Sequence, residues 1–233
     1  MWKLKLLISV VLVPAFLLIA GCARPIAVSY IQGVDIHDLE GVSCTLGIEQ
    51  FNDTRPLVEM SDAKSESYVY SSPVGIFKYG ISVDGVDYMP VKQFVYNAFV
   101  NEFRNAGFNV VAINYVPQSE QAANLINIAK DEKVDYLLGG NIVSFDINNL
   151  PGFGSVGMAF EIAVVFDLSL VSASGEILFE NNKFKGSSIE REGVLFFYDD
   201  NVNKLVNQIF KDVLNKVVKK VGNKLVVDCL EKN

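Results

Sequence analysis

What the chain has little of narrows its chemistry before any motif is read. It carries one histidine, three cysteines and one tryptophan in 233 residues. His37 sits in Asp35-Ile36-His37-Asp38; a metal site needs further ligands at a workable spacing, so this imidazole between exposed acids reads as part of a solvated loop. A Gly-x-Ser-x-Gly elbow, a Walker loop and a Cys/His cluster are all missing, so no catalytic residue is assigned and no metal is expected. Positive charge is scarce too: 20 Lys and Arg face 27 Asp and Glu, for a net charge of −7. No basic patch stands out along the chain. Phosphate binding is carried by clustered Lys and Arg, so neither nucleic acid nor an anionic membrane face is expected as the main partner.

Long apolar runs are scarce as well, and the exception opens the chain. Lys3 and Lys5 precede an apolar stretch from Leu6 to Leu18 that closes on Ile19-Ala20-Gly21-Cys22. A positive start, a short apolar core and a small-residue end are the regions of a secretory signal peptide. The run falls short of the roughly 20 residues that span a bilayer, and Pro14 interrupts it. Its last four residues resemble the lipobox of bacterial lipoproteins. That resemblance implies cleavage between Gly21 and Cys22, a diacylglyceryl thioether on the Cys22 thiol, and acylation of the new amino group. Several chains at about 0.8 kcal/mol per buried methylene hold a protein where one chain does not. A secreted soluble protein or an uncleaved signal anchor is the alternative, and each leaves Cys22 unexplained. By analogy with enteric lipoproteins, where aspartate after the cysteine retains the protein at the inner membrane, Ala23 implies the periplasmic face of the outer membrane. With 21 residues removed, 212 remain and the charge becomes −9.

Residues 22–41 read as a lipidated tether with at most one short strand, and 42–233 as a single α/β domain. Once Cys22 is lipidated, Cys44 and Cys229 remain; an oxidising compartment permits a disulfide, and two buried thiols are the alternative. Val42–Asn52 alternates as a strand ending in Phe51-Asn52-Asp53-Thr54-Arg55-Pro56, where Arg55 is placed to pair with Asp53 in a surface or hinge ion pair. Residues 57–89 read as an insertion, rich in Ser and in Tyr68, Tyr70, Tyr79 and Tyr88, with weak alternation from Val74 to Val83 that suggests a hairpin or edge strand. Tyrosine gives contact area at low entropic cost, so the insertion reads either as a partner surface or as packing over the sheet.

Val91, Phe94, Val95, Ala98, Phe99, Phe103 and Ala106 form the stripe of a helix between Pro90 and Gly107. A buried strand, Phe108–Val116, and a second helix follow, the latter capped by Ser119 and ending near Lys133. Val134–Ile147 reads as a long strand whose Gly139-Gly140 pair invites a bulge or bend. Met158–Val171 and Glu176–Lys185 form a hairpin around Ser172–Gly175. A last helix is expected from about Asn201 to Val221, capped or broken by Gly222-Asn223. The sum is an α/β mixed sheet: two strand-helix-strand units, then an antiparallel meander and a C-terminal helix.

Gly152, Gly154 and Gly157 match a dinucleotide-binding fingerprint to the letter. That chemistry needs a helix to start at the loop, and period-two alternation follows instead, so the segment reads as a glycine-rich connection whose Leu150, Phe153, Val156 and Met158 make a contact tip or fold onto their own sheet.

The lipobox, the Phe51–Pro56 strand end, Asn105-Ala106-Gly107-Phe108, Val134-Asp135-Tyr136-Leu137-Leu138-Gly139-Gly140 and the Ser174-Gly175 turn together resemble the YajG-type envelope lipoproteins. The pattern is similar also to the group containing the penicillin-binding-protein activator lipoproteins and the curli-secretion lipoprotein. The resemblance implies an α/β domain on a lipid anchor with a binding or assembly role, an envelope protein as partner and no catalytic residues. The alternative is an oligomeric component of an outer-membrane secretion or envelope-assembly complex, for which the Leu150–Met158 tip or the tyrosine-rich insertion would have to line up into a membrane-inserting barrel; neither shows the roughly 9–11 alternating residues of a spanning strand.

Overall fold

The computed structural model describes residues 23–27, 43–55, 68–69, 78–83, 85, 87–114, 122–151, 158–192 and 198–231. Their order is β1 (Ala23–Ala27), β2 (Thr45–Glu49), β3 (Asn52–Asp53), β4 (Tyr68–Val69), β5 (Lys78–Ser82), α1 (Val91–Asn105), β6 (Asn109–Ile113), α2 (Ala122–Asp131), β7 (Tyr136–Pro151), β8 (Met158–Ser172), β9 (Ile177–Glu192) and α3 (Tyr198–Glu231). The main sheet runs β6-β2-β7-β8-β9 with β3 also paired to β7, and β1-β5-β4 form a smaller three-stranded sheet. β2 is parallel to β6 and β7, whereas β7-β8-β9 are antiparallel. The expected mixed α/β architecture is therefore the observed one.

Two helices end by the same device. After α1, Gly107 takes φ 94°, its N–H reaches the Arg104 carbonyl, and the Phe108 N–H reaches Phe103 at 3.1 Å. These are the paired bonds of a Schellman motif, completed by the Phe103–Phe108 ring contact at 5.3 Å. After α2 the bonds recur, Lys133 to Lys130 and Val134 to Ala129, but the residue at positive φ is Lys133 at 55°.

α1 and α3 cover one face of the main sheet. Every residue of the expected α1 stripe is buried. Phe210 of α3 meets Phe94 of α1 at 5.1 Å and Phe145 and Phe166 of the sheet at 5.9 and 6.0 Å, which ties helix, helix and sheet into one aromatic core. α2 covers one end of the other face with Leu125 and Ala129 over Ile113, Val134, Leu137 and Val171. Beyond it that face turns polar, with Glu49, Asn141 and Ser169 buried.

Three expectations are corrected. Residues 108–116 were expected to be a buried strand, yet β6 is an edge strand with Asn109 and Ala112 exposed. The returning strand of the hairpin does not stop at Lys185 but runs to Glu192. The last helix does not stop at Gly222-Asn223; it continues to Glu231, because Val221, Leu225 and Cys229 stay buried and their packing outweighs the roughly 1 kcal/mol that a helical glycine costs. In α3 buried pairs recur at 205–206, 209–210, 213–214, 217–218 and 221–222. A period of four in a helix of 3.6 residues per turn makes the buried stripe wind by about 40° per repeat, so α3 wraps its contacts around the twisted sheet.

The Gly139-Gly140 irregularity is present on one side. Ile48 pairs with Leu138 and Asn52 with Asn141, so Glu49, Gln50 and Phe51 lie opposite Gly139 and Gly140 alone. Toward β8 the ladder passes both glycines and slips at Val143. Gly140 has φ 146°, and a Cβ there would lie 2.2 Å from the Asp167 carbonyl oxygen. A Cβ on Gly139 would meet the Glu49 carboxylate.

Candidate interaction surface and anchor

The expected lipidation and cleavage residues, Cys22 and Gly21, lie outside the described residues, as do His37 and the loop with Gly152, Gly154 and Gly157. Description begins at the next position after the cysteine: Ala23 is already in β1, paired with Lys78 of β5. Part of the expected tether is therefore strand. β1 also packs against α3.

Cys44 and Cys229 are joined by a disulfide with Cα atoms 6.0 Å apart. It ties the residue before β2 to the last turns of α3. Residue spacing alone could not choose between bridge and free thiols, since 185 positions separate them.

Arg55 donates from Nε and Nη2 to the two carboxylate oxygens of Asp53, both at 2.7 Å. This is the expected partner in an unexpected setting. Arg55 is 4% exposed, so the pair is buried at the end of β3 and not on the surface. The Asp53-x-Arg55 spacing allows a flat two-point pairing, and Thr54 between them donates its N–H to the Ile142 carbonyl at 3.1 Å, which fixes the turn onto β7.

Of the insertion tyrosines, Tyr68 and Tyr79 fall in β4 and β5 and Tyr70 lies outside the described residues. Tyr88, half-buried with φ 59°, packs on Gly80, where a Cβ would come within 2.6 Å of its ring. Elsewhere, burial pushes the phenol of Tyr96 above its ordinary value of 10.0, and the charge of Arg104 partly offsets this. Among the described residues the Tyr96 Oη has no hydrogen-bond partner. Among the same residues no three His, Cys, Asp or Glu side chains are grouped to hold a metal ion. No helix there is long and apolar enough to cross a membrane.

The main surface feature is one that the expectation of no basic patch missed. Between Lys204 and Lys224, α3 carries six lysines and one acid, Asp212. That segment is +5 in a chain of −7, leaving −12 on the remainder. Lys204, Lys216, Lys219 and Lys224 are exposed. Four lysines, 216, 219, 220 and 224, line an open groove of about 520 Å³ with Asn223, Val227 and Asp228. Two of them are positioned. Lys216 donates to the Lys185 carbonyl at 3.1 Å. Lys220 donates to Asn182 Oδ1 at 2.7 Å and stands 5.2 and 5.5 Å above the rings of Phe179 and Phe184. The signal in the sequence is local: the same lysines vanish into the chain's acidic total and emerge only when α3 is counted by itself.

No family model and no curated protein matches the chain. Solved structures do. Protein XCC0632 from Xanthomonas campestris, of family DUF330, aligns over 89% of this chain and 98% of its own at TM-score 0.51 and 12% identity. The chain shares that protein's fold. Weaker likenesses include lipoprotein GNA1162 from Neisseria meningitidis, at TM-score 0.37 and 11% identity over 76% of this chain and 99% of that one. A minor lipoprotein from Acinetobacter baumannii aligns at TM-score 0.36 and 9% identity over 77% and 90%.

Proposed function

We propose that this protein is a lipid-anchored bacterial envelope lipoprotein with a non-catalytic binding or assembly role, attached through Cys22 at the periplasmic face of the outer membrane. The observation that carries the reading is the Ile19-Ala20-Gly21-Cys22 lipobox behind a positively charged apolar leader. The lipid on Cys22 is its one covalent addition. The YajG-type resemblance rests on the sequence patterns alone, and Ala23 supports outer over inner membrane by analogy. A folded mixed sheet with large aromatic packing gives the anchor a stable cargo, and the partner is another envelope protein. In the producing bacterium, a fatty-acid tracer should label the wild-type chain and leave Cys22→Ser as an unlabelled, uncleaved precursor. Equal labelling of both would overturn the reading. Crosslinking in intact cells and identification of the captured protein tests the binding role, and recovery of the chain alone under every crosslinker would argue for self-assembly in its place.

A further inference from the structure

We propose that the lysine stripe of α3 rests on anionic phospholipid headgroups of the membrane that carries the chain, so that the domain has a covalent and an electrostatic attachment. The inference rests on the lipoprotein reading and adds to it an orientation.

Three observations point the same way. The first is charge segregation: the +5 segment of α3 stands against −12 on the rest of the chain, so an anionic surface attracts that segment while repelling the chain's net charge elsewhere. The second is chemistry. All six cations are lysines, compact point charges suited to a field of mobile phosphates, whereas arginine forks suit fixed two-point partners. Lys220 holds its ammonium over the rings of Phe179 and Phe184 and on Asn182 Oδ1, so the exposed Lys204, Lys216, Lys219 and Lys224 are the cations that meet the headgroups.

The third is reach. β1 starts at Ala23 and packs on α3, so no more than five residues separate Cys22 from any part of β1. Extended chain of that length covers about 17 Å. The part of α3 that β1 contacts is thus kept near the anchor, which holds the helix at the membrane; there an anionic surface is felt over a screening length of roughly 10 Å. A soluble acidic protein must be encountered, while the membrane is held at the site permanently.

The test uses the lipidated chain reconstituted in vesicles of phosphatidylcholine, with or without phosphatidylglycerol. Amine acylation at Lys204, Lys219 and Lys224, read by mass spectrometry, should slow by at least about threefold when phosphatidylglycerol is present and recover in high salt, with Lys130 and Lys133 at the end of α2 unchanged. Equal rates in both vesicles overturn the proposal. Protection that is the same in both and rises with protein density also overturns it, in favour of a second copy on this face. A separate arm keeps the anchor question apart: the mature chain from residue 22 onward, carrying Cys22→Ser and freed of the apolar leader, should co-sediment with phosphatidylglycerol vesicles, and the further change Lys219→Glu with Lys224→Glu, at two exposed positions where circular dichroism checks the fold, should abolish this. A wild-type chain that takes up no more fatty-acid tracer than Cys22→Ser, with sedimentation intact, would sink only the lipoprotein reading. Sedimentation that ignores the charge reversal would sink only this one.

Discussion

Single residues in this fold are held by space and by buried polarity. Lys133 occupies the left-handed position that closes α2, where a side chain costs free energy that glycine avoids. Lys133→Gly should therefore stabilise the protein by about 0.5–1 kcal/mol, read as a higher midpoint in urea with an unchanged slope. Gly140 is the opposite case. With φ 146° and the Asp167 carbonyl 2.2 Å from where a Cβ would stand, Gly140→Ala should destabilise by about 2 kcal/mol or more in the same measurement. Tyr96 supplies a pH dependence. Its phenol ionises less readily folded than unfolded, so the contribution to stability is complete below about pH 10 and lost as the pH rises through the folded value. Tyr96→Phe should be near neutral or slightly stabilising at pH 7, and should flatten the fall in stability above about pH 10. None of these three was legible in the sequence. Lys133 looked like any helix-end lysine, Tyr96 lay off the expected stripe, and which glycine of the 139–140 pair touches which neighbour depends on a strand 27 residues away in β8.

At the scale of elements, the sequence showed what repeats locally and hid what depends on long contacts. α1 could be read because its apolar positions follow a helical period between Pro90 and Gly107, and β8 because Ile162, Val164, Phe166, Leu168 and Leu170 alternate without a break. α3 was read too short because Gly222-Asn223 is a local stop signal, whereas the reasons to continue are distant: Leu225 and Cys229 are buried and the latter is bonded to Cys44. Replacing both cysteines with serine should lower stability by up to about 5 kcal/mol on the loop-closure account. Hydrogen exchange should then rise first in the turns after Gly222, while the Phe210 segment stays protected. Two free thiols titrated in the denatured, unreduced mature protein would show that the bridge does not form in the cell. The lysine stripe was missed for a related reason. Its members are spaced by helical turns between valines, and a charge count over the whole chain averages them against acids on other elements.

For the whole molecule, the described residues form a mixed main sheet with two helices over the aromatic core and one short helix behind, together with a small three-stranded sheet. The fold class could be read because two strand-helix-strand units and a hairpin admit few arrangements. The small β1-β5-β4 sheet could not, since it joins Ala23–Ala27 to Lys78–Ser82 and Tyr68–Val69, far along the chain and on the other side of β2 and β3. If the lipid reading holds, the mature chain carrying Cys22→Ser should have the same thermal midpoint as the lipidated chain, because the anchor adds no contact to the core; a shift of more than a few degrees would show that the membrane supports the fold.

The disulfide also decides how the molecule bears a load. If Cys22 carries the lipid, a pull between that anchor and anything attached to the C-terminus enters at Ala23, leaves the chain at Cys44, crosses to Cys229 and exits at Asn233. The 185-position loop between the two cysteines, which contains the whole main sheet, carries none of that tension while the bridge is closed. Reduction puts the loop in series with the anchor and makes about 600 Å of extra chain available to extend. With the bridge closed, then, the domain is mechanically a short link with a folded body hanging beside it.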